Sequence, residues 1–167
     1  MQFILAFIFS LSISLSAFAI NTGKPLAKNF SIPSLDGKVI KLNEQRGKVV
    51  VLTFWSTTCP ICASELPNLT QVVNKNAGKD VVFLALTMEN ESRVSNYLRK
   101  RPFSSIIIPN SLGVFMDYAD KDSNGNFDMG FPSYFVINQA GEIEMKTSGR
   151  NKTDAIDSKI NRLLINK

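Results

Sequence analysis

The stretch Val49-Val50-Val51-Leu52-Thr53-Phe54-Trp55-Ser56-Thr57-Thr58-Cys59-Pro60-Ile61-Cys62 decides how this chain folds. Its first seven residues form an unbroken apolar, largely β-branched run. Such a run predicts a strand buried on both faces, as in a parallel sheet. Ser56, Thr57 and Thr58 suit a turn and a helix cap. Pro60 fits the first turn of a helix, where a missing N–H is no loss. The helix then continues through Glu65 and Leu66, with Leu69, Val72 and Val73 extending its apolar face. Pro67 is expected to kink it, and Asn76-Ala77-Gly78 to end it.

Cys59 and Cys62 are the only cysteines. They could be a staple, half of a metal site, or a redox pair. A bridge across two residues closes a very short loop and constrains little of the unfolded chain, which argues against a staple. Two thiols are half of a tetrahedral zinc site, and the chain has no histidine to complete it. The same absence removes Ser-His-Asp triads, Cys-His pairs and HExxH sites. No cofactor or metal is expected.

Redox chemistry suits the predicted geometry. Cys59 falls at a helix N-terminus, where free N–H groups and the macrodipole favour a thiolate. Cys62 follows at i+3 on the same face, with Cβ atoms roughly 5–6 Å apart. Cys59 is thus the exposed attacking sulfur, and Cys62 resolves the mixed disulfide.

Residues 1–19 read as a signal peptide: an uncharged apolar run closing on Ala17-Phe18-Ala19. The basic residues usual at the start of a leader are missing, so an uncleaved anchor is the alternative; ~18 apolar residues can just span a bilayer. Either way the remainder, residues 20–167, is expected as a single exported domain, where disulfides persist. The formal charge of +5 is spread along it. Only Arg99-Lys100-Arg101 clusters, which fits a solvated helix end rather than nucleic-acid binding.

The segment from Ser31 to Leu69 resembles the extracytoplasmic thiol–disulfide oxidoreductases of the TlpA/ResA-like branch of the thioredoxin superfamily. Asp36-Gly37-Lys38, Gly47-Lys48, Phe54-Trp55, Cys59, Cys62, Glu65 and Pro67 carry the resemblance. Gly130-Phe131-Pro132 through Ile137, then Gly141-Glu142, extends it. It implies an α/β thioredoxin fold: a central mixed sheet with helices on both faces and a short β extension in front at 32–42. It also implies that Cys59, Cys62 and Glu65 are catalytic, Glu65 tuning the thiols and taking the proton of Cys62. Trp55, Pro60, Phe131 and Pro132 would form the substrate-binding surface. Pro132 would be a cis-proline facing the disulfide, and the Phe131 backbone would pair with the client as an added strand.

The departures bear on function. Thr58 stands where the family often has tryptophan. Thr53 stands where thioredoxins bury an aspartate, which leaves more to Glu65. The dipeptide Pro60-Ile61 lacks the histidine that makes strong oxidants. A reductant of protein disulfides is therefore expected, with clients such as apocytochrome c and a membrane or periplasmic electron donor. The chain is expected as a periplasmic or otherwise extracytoplasmic monomer. A copper-binding thioredoxin-like protein and a thiol peroxidase are the alternatives. The peroxidase pattern would need proline at Leu52 and threonine at Ser56.

Elsewhere, strands are expected at 81–87, 106–108, 134–138 and 142–146, the last two as a hairpin around Gln139-Ala140-Gly141. Helices are expected at 91–101 and from a Thr153 cap to the C-terminus, with a helical turn at 112–118. The loop from Asp120 to Asp128 resembles the start of a calcium-binding EF-hand loop, but Phe131 stands where its closing glutamate belongs. A turn rich in Asp, Asn and Gly is the better reading.

Overall fold

The computed structural model describes residues 23–165. The leader or anchor expected over 1–19 lies outside them. None of the helices described is long and apolar enough to cross a membrane.

The run of buried β-branched residues forms the central strand. We number the strands β1 (Ser31–Pro33), β2 (Val39–Lys41), β3 (Val49–Phe54), β4 (Val81–Leu86), β5 (Ile106–Ile108), β6 (Asp120–Lys121), β7 (Phe127–Asp128), β8 (Ser133–Ile137) and β9 (Ile143–Ser148). The helices are α1 (Pro60–Lys75), α2 (Glu91–Leu98), α3 (Leu112–Tyr118) and α4 (Thr153–Ile165). Five strands make one sheet in the order β5-β4-β3-β8-β9. β3 pairs parallel with β4 and antiparallel with β8, so the sheet is mixed and every residue of β3 is buried.

Alternation along β3 divides the core. Val49, Val51 and Trp55 face a cluster with Cys62, Leu66 and Leu69 of α1, Val94 of α2, and Ile156 and Ile160 of α4. Val50, Leu52 and Phe54 face the other side, against Leu42 and against Val114 and Tyr118 of α3. Each fully buried aliphatic or aromatic side chain contributes on the order of 1.5–3 kcal/mol. Helices therefore cover both faces, and β1–β2 form the extension in front, turning at Gly37.

Several details differ from the sequence expectation. α2 ends at Leu98, not Arg101: the Lys100 and Arg101 N–H groups both return to the Tyr97 carbonyl, at 3.0 Å each, and close the last turn. The turn at 112–118 is a seven-residue helix. Thr153 is the first residue of α4 rather than its cap, and the Lys152 carbonyl accepts the Ile156 N–H. The loop after α3 is a two-stranded ribbon, β6–β7. Asp122 closes its turn by accepting the N–H groups of Asn124 and Asn126. Among the described residues no group of three or more His, Cys, Asp or Glu is placed to hold a metal ion.

Candidate active site

β3 leaves the sheet at Phe54, and a short turn carries the chain into α1. Cys59 is the cap of that helix, in extended conformation, and its Sγ accepts the Cys62 N–H at 3.0 Å. The two cysteines form a disulfide with Cα atoms 5.2 Å apart. Cys59 is half-buried and Pro60 exposed, whereas Cys62 is fully buried. A molecule arriving from solvent thus meets Cys59 first. The sulfur it meets is the one bonded to a helix-end N–H, a position that favours the thiolate.

The loop between β7 and β8 lies against this sulfur. The Phe131–Pro132 peptide bond is cis, and the Phe131 carbonyl oxygen is 3.6 Å from Cys59 Sγ. In the disulfide that sulfur has no proton; in the dithiol it faces an acceptor. Ser133 Oγ donates to the Gly130 carbonyl at 2.6 Å, and the Gly149 N–H donates to the Pro132 carbonyl at 2.9 Å. These bonds tie the loop to β8 and to the end of β9.

Glu65 lies one turn beyond Cys62 and is only 4% exposed. Taken as a whole residue it is the one charged residue that is buried among those described. Its Oε2 accepts the N–H of Asn151 at 3.0 Å. Asn151 adopts a left-handed conformation (φ 57°) in the β9–α4 loop. Thr53 is buried on β3 and brings no carboxylate, which leaves Glu65 as the buried carboxylate on α1, one turn after Cys62.

Trp55 is placed differently from a substrate-binding residue. It is fully buried, with ring centroids 5.3 Å from Tyr97 and 5.0 Å from Phe103. Its side chain supports the disulfide from within and offers no surface to a client. Phe131 is half-buried and Pro132 buried.

Three contributors escaped the sequence reading. Glu89 fastens the turn before Cys59. Its carboxylate accepts the Thr57 N–H at 2.8 Å, the Thr57 hydroxyl at 2.7 Å and the Ser56 hydroxyl at 3.2 Å, and pairs with Arg93 at 3.2 Å. Tyr134, opposite Thr53 on β8, has a buried hydroxyl with no hydrogen-bond partner among the described residues. Burial, and then the charge of Glu65, raise its pKa, so it stays neutral. Phe115 of α3 meets Phe131 edge to face at 6.0 Å. The one available signal was Asn90, a helix cap accepting the Arg93 N–H, which marks Glu89 as lying just before a helix.

A half-exposed sulfur at a helix cap, bonded to a buried second sulfur, is an arrangement suited to disulfide exchange. The protein is a thiol–disulfide oxidoreductase of thioredoxin fold. A family model described as Redoxin matches residues 21–164, and the chain belongs to that family. Within it the chain is TlpA/ResA-like. It is 28% identical over 139 residues to thiol-disulfide oxidoreductase ResA of a Bacillus cereus strain, covering 82% of this chain and 76% of that one. It is 31% identical over 119 residues to ResA of Halalkalibacterium halodurans, covering 70% and 63%. Among solved structures it is similar to a thiol:disulfide interchange protein of the thioredoxin family from Chlorobium tepidum TLS. That match has TM-score 0.70 and 26% identity, and covers 84% of this chain and 97% of that one.

Proposed function

We propose that the protein works outside the cytoplasm as a reductant of protein disulfides. The Cys59 thiolate attacks a client disulfide and forms a mixed disulfide, releasing one client thiolate. Cys62, losing its proton to Glu65, then attacks Cys59 Sγ. The second client thiolate leaves, and the enzyme is left oxidised. Two electrons pass from enzyme to client in each cycle, and a separate dithiol donor restores the reduced pair.

The observation that carries this reading is the cap itself. Among the described residues the hydrogen-bonding neighbours of Cys59 Sγ are backbone groups, the Cys62 N–H at 3.0 Å and the Phe131 carbonyl at 3.6 Å. The intervening Pro60 and Ile61 bring no charge, and the chain has no histidine. The reduced form is thus stabilised by the helix end alone, which favours a low potential. The apolar leader of residues 1–19 supports export. The resemblance to proteins named ResA supports an exported client with a reducible disulfide, for which apocytochrome c is a candidate.

Equilibration with glutathione redox buffers tests the direction. A reductant should settle near the thioredoxin end of the scale, about −270 mV, and a value near that of DsbA, about −120 mV, would overturn the assignment.

A further inference from the structure

The disulfide lies beyond one end of the sheet, and the opposite end is a different kind of surface. β3 runs six residues from Val49 towards the turn before Cys59. At ~3.3 Å a residue, the two ends stand roughly 20 Å apart. Hydrogen bonds gather several segments at the far end. The Val49 N–H donates to the Asp80 carbonyl and the Gly47 N–H to the Gln139 carbonyl, each at 2.9 Å. Gln139 Nε2 donates to the Leu163 carbonyl at 2.8 Å, which brings the close of α4 alongside. The Ala27 N–H donates to the Gly141 carbonyl and the Ile143 N–H to the Pro25 carbonyl, each at 2.9 Å. The chain that follows the apolar leader therefore joins the domain here, and only residues 20–22 separate that leader from Gly23.

This end is cationic. Lys24, Arg46, Lys48, Lys79 and Arg162 are exposed, and Lys159 is half-buried. Against these six cations stand three carboxylates, Asp80, Glu142 and Glu144, which leaves +3 of the formal +5 of the chain. The adjoining Lys41–Glu44 and Lys75–Asp157 pairs cancel. The Glu144 side chain is 8% exposed and is shared by Lys24 at 2.7 Å and Lys159 at 3.7 Å, so one carboxylate serves two ammonium groups. Those two lysines, Arg162, Asn138 and Gln139 line an open groove of about 350 Å³. The Arg46 guanidinium occupies the space that a side chain at Gly141 would fill. Around the disulfide, by contrast, the charges are Glu65 and the Glu89–Arg93 pair. The exchange chemistry uses none of the cations at the far end.

We propose that this cationic end docks on a bilayer surface carrying anionic phospholipid, with the disulfide held away from the lipid. Each Lys or Arg close to an anionic leaflet adds an attraction that salt screens. A net +3 gives weak binding by itself. It acts mainly on orientation once the leader, if retained, holds this same end within about three residues of the bilayer. The inference is independent of the direction of electron flow, since an oxidant would dock in the same way.

The test uses the exported chain, leader kept or removed as the cell delivers it, with phosphatidylcholine vesicles that contain or lack phosphatidylglycerol. Acylation of individual lysines is read by mass spectrometry. Anionic vesicles should slow Lys24, Lys48 and Lys79 by about threefold or more relative to neutral ones, and high salt should remove the difference. Lys152, next to the Asn151 that bonds Glu65, should react equally with both. In the double variant Lys48→Glu, Lys79→Glu, Lys24 should react equally with both vesicles, with hydroxyethyl disulfide reduced at the original rate. Equal reactivity of the natural protein's Lys24, Lys48 and Lys79 in the two vesicles overturns the proposal. So does slowing that salt leaves in place, that extends to Lys152, or that survives in the double variant. If inorganic phosphate alone slows the same three lysines as much, the ligand is a soluble anion and the membrane reading fails.

Discussion

The backbone N–H of Cys62 points at Cys59 Sγ across 3.0 Å, within the first turn of α1. The order of attack proposed above rests on this relationship. In the proposed cycle it favours charge on Cys59, the half-buried sulfur, and leaves the fully buried Cys62 to resolve. Pro60 has no N–H to offer, so the Cys62 amide acts for the cap.

Glu65 gives the first expectation. Glu65→Gln keeps an acceptor for the Asn151 N–H but removes the base. The mixed disulfide should still form at Cys59, while its resolution slows by about 10²-fold or more, the usual scale of general-base catalysis. Stopped-flow separation of the two steps checks this. Equal slowing of both steps would count against the assignment.

Glu89 should matter through position rather than chemistry. Glu89→Ala leaves the Thr57 N–H and Arg93 without their acceptor. We expect a loss of about 1–3 kcal/mol in denaturant unfolding, and a slower first attack on any disulfide, large or small. Glu89→Gln should recover part of both.

Tyr134→Phe is expected to raise stability, against the usual trend for core substitutions. It removes a buried hydroxyl without a hydrogen-bond partner and leaves the ring in place, a gain of about 1 kcal/mol. Thermal unfolding of the disulfide form would show it, and a clear loss would mean the hydroxyl has a partner.

Asp36 supplies a pH dependence. Hydrogen bonds from Ser34, and then from Lys38, lower its pKa to about 2. The folded value lies below the ordinary one of about 3.9. The contribution of Asp36 is therefore complete above pH ~4 and lost as pH falls towards 2. Amide exchange in the β1–β2 hairpin should quicken across that window, and Asp36→Asn should make it insensitive to pH there.

How much of this the sequence disclosed follows from the range of the interactions. The β3–α1 unit was legible because burial on both faces, a cap and Pro60 are local signals. Phe131 and Pro132 were legible only through resemblance, since nothing in their own neighbourhood points 72 residues back to Cys59. Asn151 was not legible at all, and Glu89 was legible at most as the residue before a helix cap, with nothing to point it at Thr57. They act on Glu65 and Thr57 across 86 and 32 residues, through a backbone N–H in one case and a single carboxylate in the other. Trp55 was legible as an aromatic near the site, but its full burial depends on Tyr97 and Phe103 arriving from a different segment. Tyr134 read as an ordinary strand aromatic, because only the assembled core buries its hydroxyl without a partner among the described residues.

The most direct measurement is capture of a client disulfide by the two single variants, read by intact-mass spectrometry and peptide mapping. Cys62→Ser should hold a stable mixed disulfide at Cys59, while Cys59→Ser should hold none. Capture by Cys59→Ser through Cys62, or by neither variant, would contradict the assignment of Cys59 as the attacking sulfur.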